Sequence, residues 1–167
     1  MNYSFIIRKA VHGDAGAIKD ILRESFALYV KETGMESVPE ALEETVGQIE
    51  KDIDEKEVYI AIIDDLPVGT IRITIFQDGS AYISRFGVKP THHNMGIGKA
   101  LMGLVDKMLA AKNIEKVSLH TASNYYALVR FYYGRGFYVD SVSKERGYAR
   151  ALMIKDYRNA SSGAGKD

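Results

Sequence analysis

The chain contains no cysteine. Disulfides, thiolate metal sites and a cysteine nucleophile are therefore excluded. No uninterrupted apolar run approaches the roughly 20 residues that a membrane span needs, so no membrane partner is expected. The amino terminus, MNYSFIIRKA, has no long apolar stretch after a basic start, so no signal peptide is expected. Net charge is also missing, because 22 basic residues balance 22 acidic ones. Global charge therefore leaves no footprint for nucleic acid. His12, His92, His93 and His120 lack metal-ligand spacing, and no metal is expected. These absences make a cytoplasmic protein the default.

What is present is a chain of 167 residues with a globular balance of apolar and charged side chains. That length suggests one domain and a real core. We expect the domain over residues 1–157, followed by a disordered tail over 158–167, mostly the run NASSGAGKD. Charge is unevenly spread. From Lys31 to Glu57 ten acidic residues face three lysines, a balance of −7. The plainer reading of such a run is a solvated helix face.

Periodicity then orders the elements. Phe5 to Arg8 reads as a strand. Asp14 is placed as the cap of a helix with Ile18, Ile21, Leu22, Phe26 and Tyr29 at helical spacing, broken by Gly34. Ser37 and Glu40 have a capping-box pattern for a second helix, with a stripe of Leu42, Val46, Ile49 and Ile53. Three strands follow: Val58–Ile63, Val68–Phe76 and Ala81–Val88. A turn over Asp64–Pro67 joins the first two, and Asp78-Gly79 joins the others. Pro90 ends the third. A helix begins near Gly96, with Ile97, Leu101, Leu104, Val105, Met108 and Leu109 buried. A strand over Lys116–Thr121, a helix over Asn124–Tyr133 and a strand pair, Phe137–Val142 and Ala149–Ile154, complete the chain. The order implies an α/β fold with a mixed sheet, not a regular doubly wound one. An open sheet edge leaves a homodimer open.

The stretch that carries chemistry is VKPTHHNMGIGKALMGLVDKM, Val88 to Met108. Gly96 and Gly98 open an amphipathic helix whose first N–H groups lack internal partners and carry partial positive charge. Glycines let a phosphate approach that backbone, and His93 and Lys99 can add charge. Two glycines at a helix start suit a plain capping site equally well. A P-loop does not fit, because Ala100 follows Gly98-Lys99 and leaves no hydroxyl for magnesium. A dinucleotide fingerprint does not fit either, because Leu101 occupies its third glycine.

These residues resemble the GCN5-related N-acetyltransferase family, whose motif runs Val-x-Pro, a short loop, then Arg/Gln-x-x-Gly-x-Gly/Ala. Val88, Pro90 and the run His93-Asn94-Met95-Gly96-Ile97-Gly98 match it, with His93 in place of Arg or Gln. A second match is Asn124 followed by Phe131-Tyr132-Tyr133-Gly134-Arg135-Gly136-Phe137, in a gap one residue longer than common. The resemblance covers about residues 5 to 155. It implies a mostly antiparallel central sheet of about seven strands, splayed at a cofactor cleft and flanked by about four helices. Acetyl-coenzyme A (acetyl-CoA) is the implied co-substrate, held by Phe86, Val88, His93, Asn94, Met95, Gly96, Ile97, Gly98, Lys99 and Asn124. A bulge before Val88 would splay that strand from Lys116–Thr121 and free backbone groups near Phe86 for the pantetheine arm. One N–H there would stabilise an oxyanion. Tyr132 is the implied general acid for the thiolate.

The base is unassigned. Many relatives carry a glutamate before the phosphate loop, where this chain has Ser84 and Arg85. Glu36, a water chain or loss of the proton to solvent stay open. His92 reads as a solvated loop residue and His120 as a satisfied core histidine. Arg146 and Tyr148 fit a closing loop or a plain hairpin equally. The helices after the first strand would wall the acceptor side, so Tyr29, Glu32 and Glu36 are the substrate candidates. Their charge favours a cationic small-molecule amine such as a polyamine. Two rivals are a non-catalytic acyl-CoA sensor and a nucleotide-binding regulatory domain. Gly96→Asp is expected to abolish acetyl-CoA binding in a folded protein, since its carboxylate would repel the pyrophosphate. Calorimetry decides it, and unchanged affinity would mean the phosphate loop lies elsewhere.

Overall fold

The computed structural model describes residues 4–158. Seven strands form one sheet: β1 (Ile6–Lys9), β2 (Glu57–Ile63), β3 (Leu66–Ile75), β4 (Ser80–Val88), β5 (Lys116–Ala122), β6 (Tyr138–Ser143) and β7 (Arg150–Asp156). Their order is β1-β2-β3-β4-β5-β7-β6, and every pair is antiparallel except β4 with β5. Helices α1 (Ala15–Thr33), α2 (Glu40–Glu43) and α3 (Val46–Glu55) precede β2. Helix α4 (Ile97–Ala111) lies between β4 and β5, and α5 (Tyr126–Gly134) between β5 and β6. The expected mixed, mostly antiparallel sheet is present. No described helix is long and apolar enough to cross a membrane. The expected tail lies outside the described residues apart from Arg158.

Strand alternation gives the sheet two apolar faces. Val58 and Ile60 pack with Ile18, Leu22 and Ile49 of α1 and α3. Ala61, Ile71, Ile73, Ile83 and Leu119 join Leu101, Val105 and Leu109 of α4 on the larger core. Helix α1 stops where Gly34 takes the left-handed conformation, φ 66°.

Three local expectations are corrected. Asp14 does not cap α1 with its side chain. Its carboxylate accepts from the Val11 N–H at 2.7 Å and from Arg8 at 2.8 Å, closing a 3-10 turn instead. The expected second helix is two helices. The capping box is Thr45 with Gln48, not Ser37 with Glu40, and Val46 is exposed. The β2–β3 turn is only Asp64-Asp65, both at positive φ as a two-residue hairpin requires. Pro67 belongs to β3, where a register shift opposite Ala61 and Ile62 spares it a ladder bond.

The break between α2 and α3 has an electrostatic cause. Arg72 of β3 is 1% exposed. Its Nη1 donates to Glu44 at 2.7 Å and to Asp52 at 2.9 Å. Glu44 leaves the helical path with ψ 132° and reaches down to this guanidinium. Removing one partner of a buried pair strands the other charge at a cost of about 3–5 kcal/mol. Arg72→Ala is therefore expected to lower unfolding stability by that amount, and an unchanged urea midpoint would refute it.

Candidate active site

The site begins with a missing ladder. Strands β4 and β5 pair only from Ser80–Lys116 to Tyr82–Ser118. On its other side β4 is bulged: Thr70 faces Gly87 and Arg72 faces Ser84, so Arg85 and Phe86 stand against Ile71 alone. Arg85 accommodates this with φ 50°. Beyond Tyr82 the two strands part, and a cavity of about 650 Å³ opens between them. The expected bulge and splay are both present.

One end of the cavity is the start of α4. Gly96 is left-handed there, φ 81°, and a Cβ on it would meet nothing within 4 Å. The first internal bond of this helix runs from the Ala100 N–H to the Gly96 carbonyl. The N–H groups of Ile97, Gly98 and Lys99 thus face forward without helical acceptors. At Gly98 a Cβ would come 3.3 Å from the Phe86 ring, so the missing side chain lets loop, β4 and α5 meet this closely. Lys99, Arg130 and Arg135 add cationic side chains to the lining. Backbone donors, an open glycine and three cations suit a pyrophosphate.

Of the expected cofactor residues, Phe86, Val88, His93, Asn94, Gly96, Ile97, Gly98 and Lys99 line the cavity. His93 donates its Nε2–H to the Val88 carbonyl at 2.9 Å, so only Nδ1 is left for a ligand. The other two are placed elsewhere. The Met95 side chain packs on the core. Asn124 donates to the Thr33 carbonyl at 3.0 Å and ties the end of β5 to α1.

Tyr132 lines the middle of the cavity and is 4% exposed. Phe131 and Phe137 pack edge-on against it, with centroids at 5.6 and 5.8 Å, and Phe86 lies at 6.3 Å. Burial pushes its phenol far above the ordinary range, with Tyr29, Tyr82 and Tyr125 adding to the shift. The hydroxyl therefore keeps its proton across the neutral range.

The other end differs from expectation. Tyr29 lines it, and its hydroxyl accepts from the Ala122 N–H at 2.7 Å. Burial raises this phenol to about 12. Glu32 and Glu36 are exposed and do not line the cavity. His120 is not a core residue. Leu119 packs in the core and Thr121 is buried beside it, so alternation sends the His120 side chain to the opposite face, where it lines the cavity. There its Nδ1 lies 2.7 Å from the Tyr82 hydroxyl. Burial lowers the His120 pKa below the ordinary value, and Arg150 and Arg146 lower it further. Tyr82, Arg130 and Arg150 went unnoticed in the sequence, and Arg85 and Arg135 were named there without a site role. The positions of Tyr82 and Arg150 were legible as strand positions sharing the face of His120, once β5 is paired with both strands. Arg146 and Tyr148, left open between a closing loop and a plain hairpin, also line this end.

Known proteins can now be set beside this geometry. The sequence model of the acetyltransferase (GNAT) family matches residues 17–137. Among solved structures, the chain is similar to a PaiA N-acetyltransferase from Thermoplasma acidophilum in complex with coenzyme A. That match has 23% identity and a TM-score of 0.81, over 92% of this chain and 99% of the other. A GNAT-family acetyltransferase from Staphylococcus aureus matches at 17% identity and TM-score 0.73, over 92% and 99%. A spermidine N-acetyltransferase chimera from Vibrio cholerae and hSSAT matches at 16% and 0.73, over 93% and 96%. These likenesses are of fold. The family match runs from α1 through both strands of the parted pair to Phe137, and on it the chain belongs to the acetyltransferase (GNAT) family.

Proposed function

We propose that the chain is a single-domain cytoplasmic enzyme that moves the acetyl group of acetyl-CoA to a primary amine, by direct attack while both are bound. The observation that carries this is one continuous cavity joining the α4 N-terminus, Tyr132 and the Tyr82–His120 pair. Donors for phosphate, a protonated phenol and a neutral imidazole stand along one path. The Thermoplasma acidophilum neighbour with coenzyme A supports the choice of co-substrate. The earlier preference for a cationic amine rested on Glu32 and Glu36, and neither carboxylate lines the cavity.

Acetyl-CoA supplies a thioester carbon open to attack by an uncharged amine. The forward N–H groups of α4 and the Lys99 ammonium hold its pyrophosphate. The unpaired edge of β4, from Phe86 to Val88, bonds the pantetheine arm, and an N–H of that edge stabilises the oxyanion. Cavity walls hold both reactants together, which supplies rate through proximity. Tyr132 gives its proton to the departing thiolate. In the tautomer that donates Nδ1–H to the Tyr82 oxygen, His120 keeps Nε2 as an acceptor. It takes the proton that the attacking nitrogen sheds as the new bond forms.

Steady-state thiol release with a panel of amines tests the reading. A chain that binds coenzyme A and releases no thiol with any amine would be a sensor instead. Tyr132→Phe is expected to lower kcat by about 10²-fold with coenzyme A affinity unchanged. Wild-type turnover would remove Tyr132 from the mechanism.

The pH profile tests His120. A base must be neutral, and this one is held below its ordinary value of about 6.5. Activity should therefore rise with pH through a midpoint below about 6.5 and stay high above it. His120→Gln should erase that acidic limb and cost about 10²-fold in kcat/KM. An identical profile in the variant assigns the limb to another group.

A further inference from the structure

The cavity has cations at two separate ends, and the phosphates of acetyl-CoA account for one. The first end combines Lys99 with Arg130 and Arg135 around α4 and α5. The second combines Arg85, Arg146 and Arg150 around Tyr82 and His120. Register shows that they are apart. Tyr82 pairs with Ser118, and Ala122 with Arg150, so Tyr82, His120 and Arg150 share one face of the sheet. Arg72 and Ser84 lie on that same face, under α2 and α3. Leu119, Ala151 and Met153 point the other way, into the core shared with α4.

The second cluster is poorly neutralised. Among the described residues, Glu40 is the one carboxylate lining the cavity. It lies 3.7 Å from Arg146, and both side chains are more than half exposed, so their attraction is weak. Arg85 lies 3.6 Å from Glu44, whose other oxygen is already engaged by Arg72 at 2.7 Å. Arg150 forms no ion pair among the described residues. Three guanidinium groups thus gather at the acceptor end with little opposing charge. They disfavour a polycation there and suit a planar, charged oxygen group.

We propose that the acceptor is an amine that also carries an anionic oxygen group, a carboxylate or a phosphate, and that Arg85, Arg146 and Arg150 hold that group while the amino nitrogen lies near His120. This rests on the acetyl-transfer reading and names its substrate class. Arg150 and Arg146 are specificity residues in it, and the same cations add to burial in lowering the His120 pKa.

The experiment uses the full chain saturated with coenzyme A, so that binding is read without turnover. Calorimetry compares glutamate, aspartate and phosphoethanolamine with glycinamide and spermidine, and acetylation rates are measured on the same panel with acetyl-CoA. At least one anionic amine is expected to bind ten-fold or more tightly than glycinamide and spermidine, and to weaken as salt rises. Phosphoethanolamine against the two amino acids separates phosphate from carboxylate. Arg150→Gln and, independently, the loop variant Arg146→Gln should each weaken that amine about ten- to hundred-fold, the worth of a charged hydrogen bond. Coenzyme A affinity should not change in either. Preference for spermidine or glycinamide, no binding by any anionic amine, or an Arg150→Gln effect on coenzyme A alone would overturn the inference. Acetylation of neutral or cationic amines in that case would leave the proposed activity standing. Anionic amines that bind but yield no thiol would uphold the subsite and reject the activity.

Discussion

Everything at the site depends on the parting of β4 from β5. A parallel pair continued past Tyr82 would bond the β4 edge and close the cavity. The bulge at Arg85 and Phe86 prevents this, because it turns β4 away while leaving its bonds to β3 intact on either side. A positive φ at a non-glycine residue costs energy, and it persists only where the surroundings hold it. Here the Arg85 side chain is drawn toward Glu44, and Gly87 packs flat under α1.

Helix α1 keeps the two strands apart. On one lip, a Cβ at Gly87 would lie 2.7 Å from the Ser25 hydroxyl, so β4 and α1 are in direct backbone-level contact. On the other lip, Tyr29 accepts the Ala122 N–H that a continued ladder would have used. Asn124 then fastens the following loop to Thr33. The helix thus replaces missing sheet bonds with side-chain bonds, and a buried polar group without such a partner would be costly. Its stiffness makes the gap a fixed feature. Arg72, Glu44 and Asp52 anchor α2 and α3 beside it, at the start of the acceptor end.

Much of this was legible in the sequence, for local reasons. Glycine and proline punctuate the chain at Gly34, Asp78-Gly79, Pro90 and Gly96, and each marks a real boundary. Apolar spacing found α1 and α4 because each presents a single stripe to one face of the sheet. The Phe-Tyr frame picked out Tyr132, which lines the cavity. What failed was long-range. Nothing local shows that Glu44 answers to Arg72, twenty-eight residues on, so one helix was expected where two exist. The β-sheet period of two was the missed signal at His120, since its buried neighbours Leu119 and Thr121 mark the face it does not share. Asn124 and Met95 sit in the right segments but point to α1 and the core, a matter of phase within loops.

The placement of charge has a related explanation. A neutral chain with an acidic segment suggested an acidic cleft, yet several carboxylates of that segment are already committed, and Glu32 and Glu36 stand exposed outside the cavity lining. Glu44 and Asp52 serve Arg72, Asp54 meets His12, and Glu57 meets Lys9. What faces the cavity is the cationic remainder, collected from β4, the β6–β7 loop and β7. This arrangement suits the chemistry. Transfer turns a neutral thioester and a neutral amine into a neutral amide, a thiolate and a proton, so charge separates within the cavity. Between the two cationic ends lie Phe86, Phe131 and Tyr132, whose rings exclude water and lower the local dielectric. Charges fixed at the ends act strongly across such a middle. Cations at the phosphate end favour the developing thiolate. At the acceptor end they keep His120 deprotonated until the nitrogen has a proton to give. An anionic group on the acceptor would temper that field at the moment His120 must become charged, so substrate binding and base strength are coupled through the same guanidinium groups.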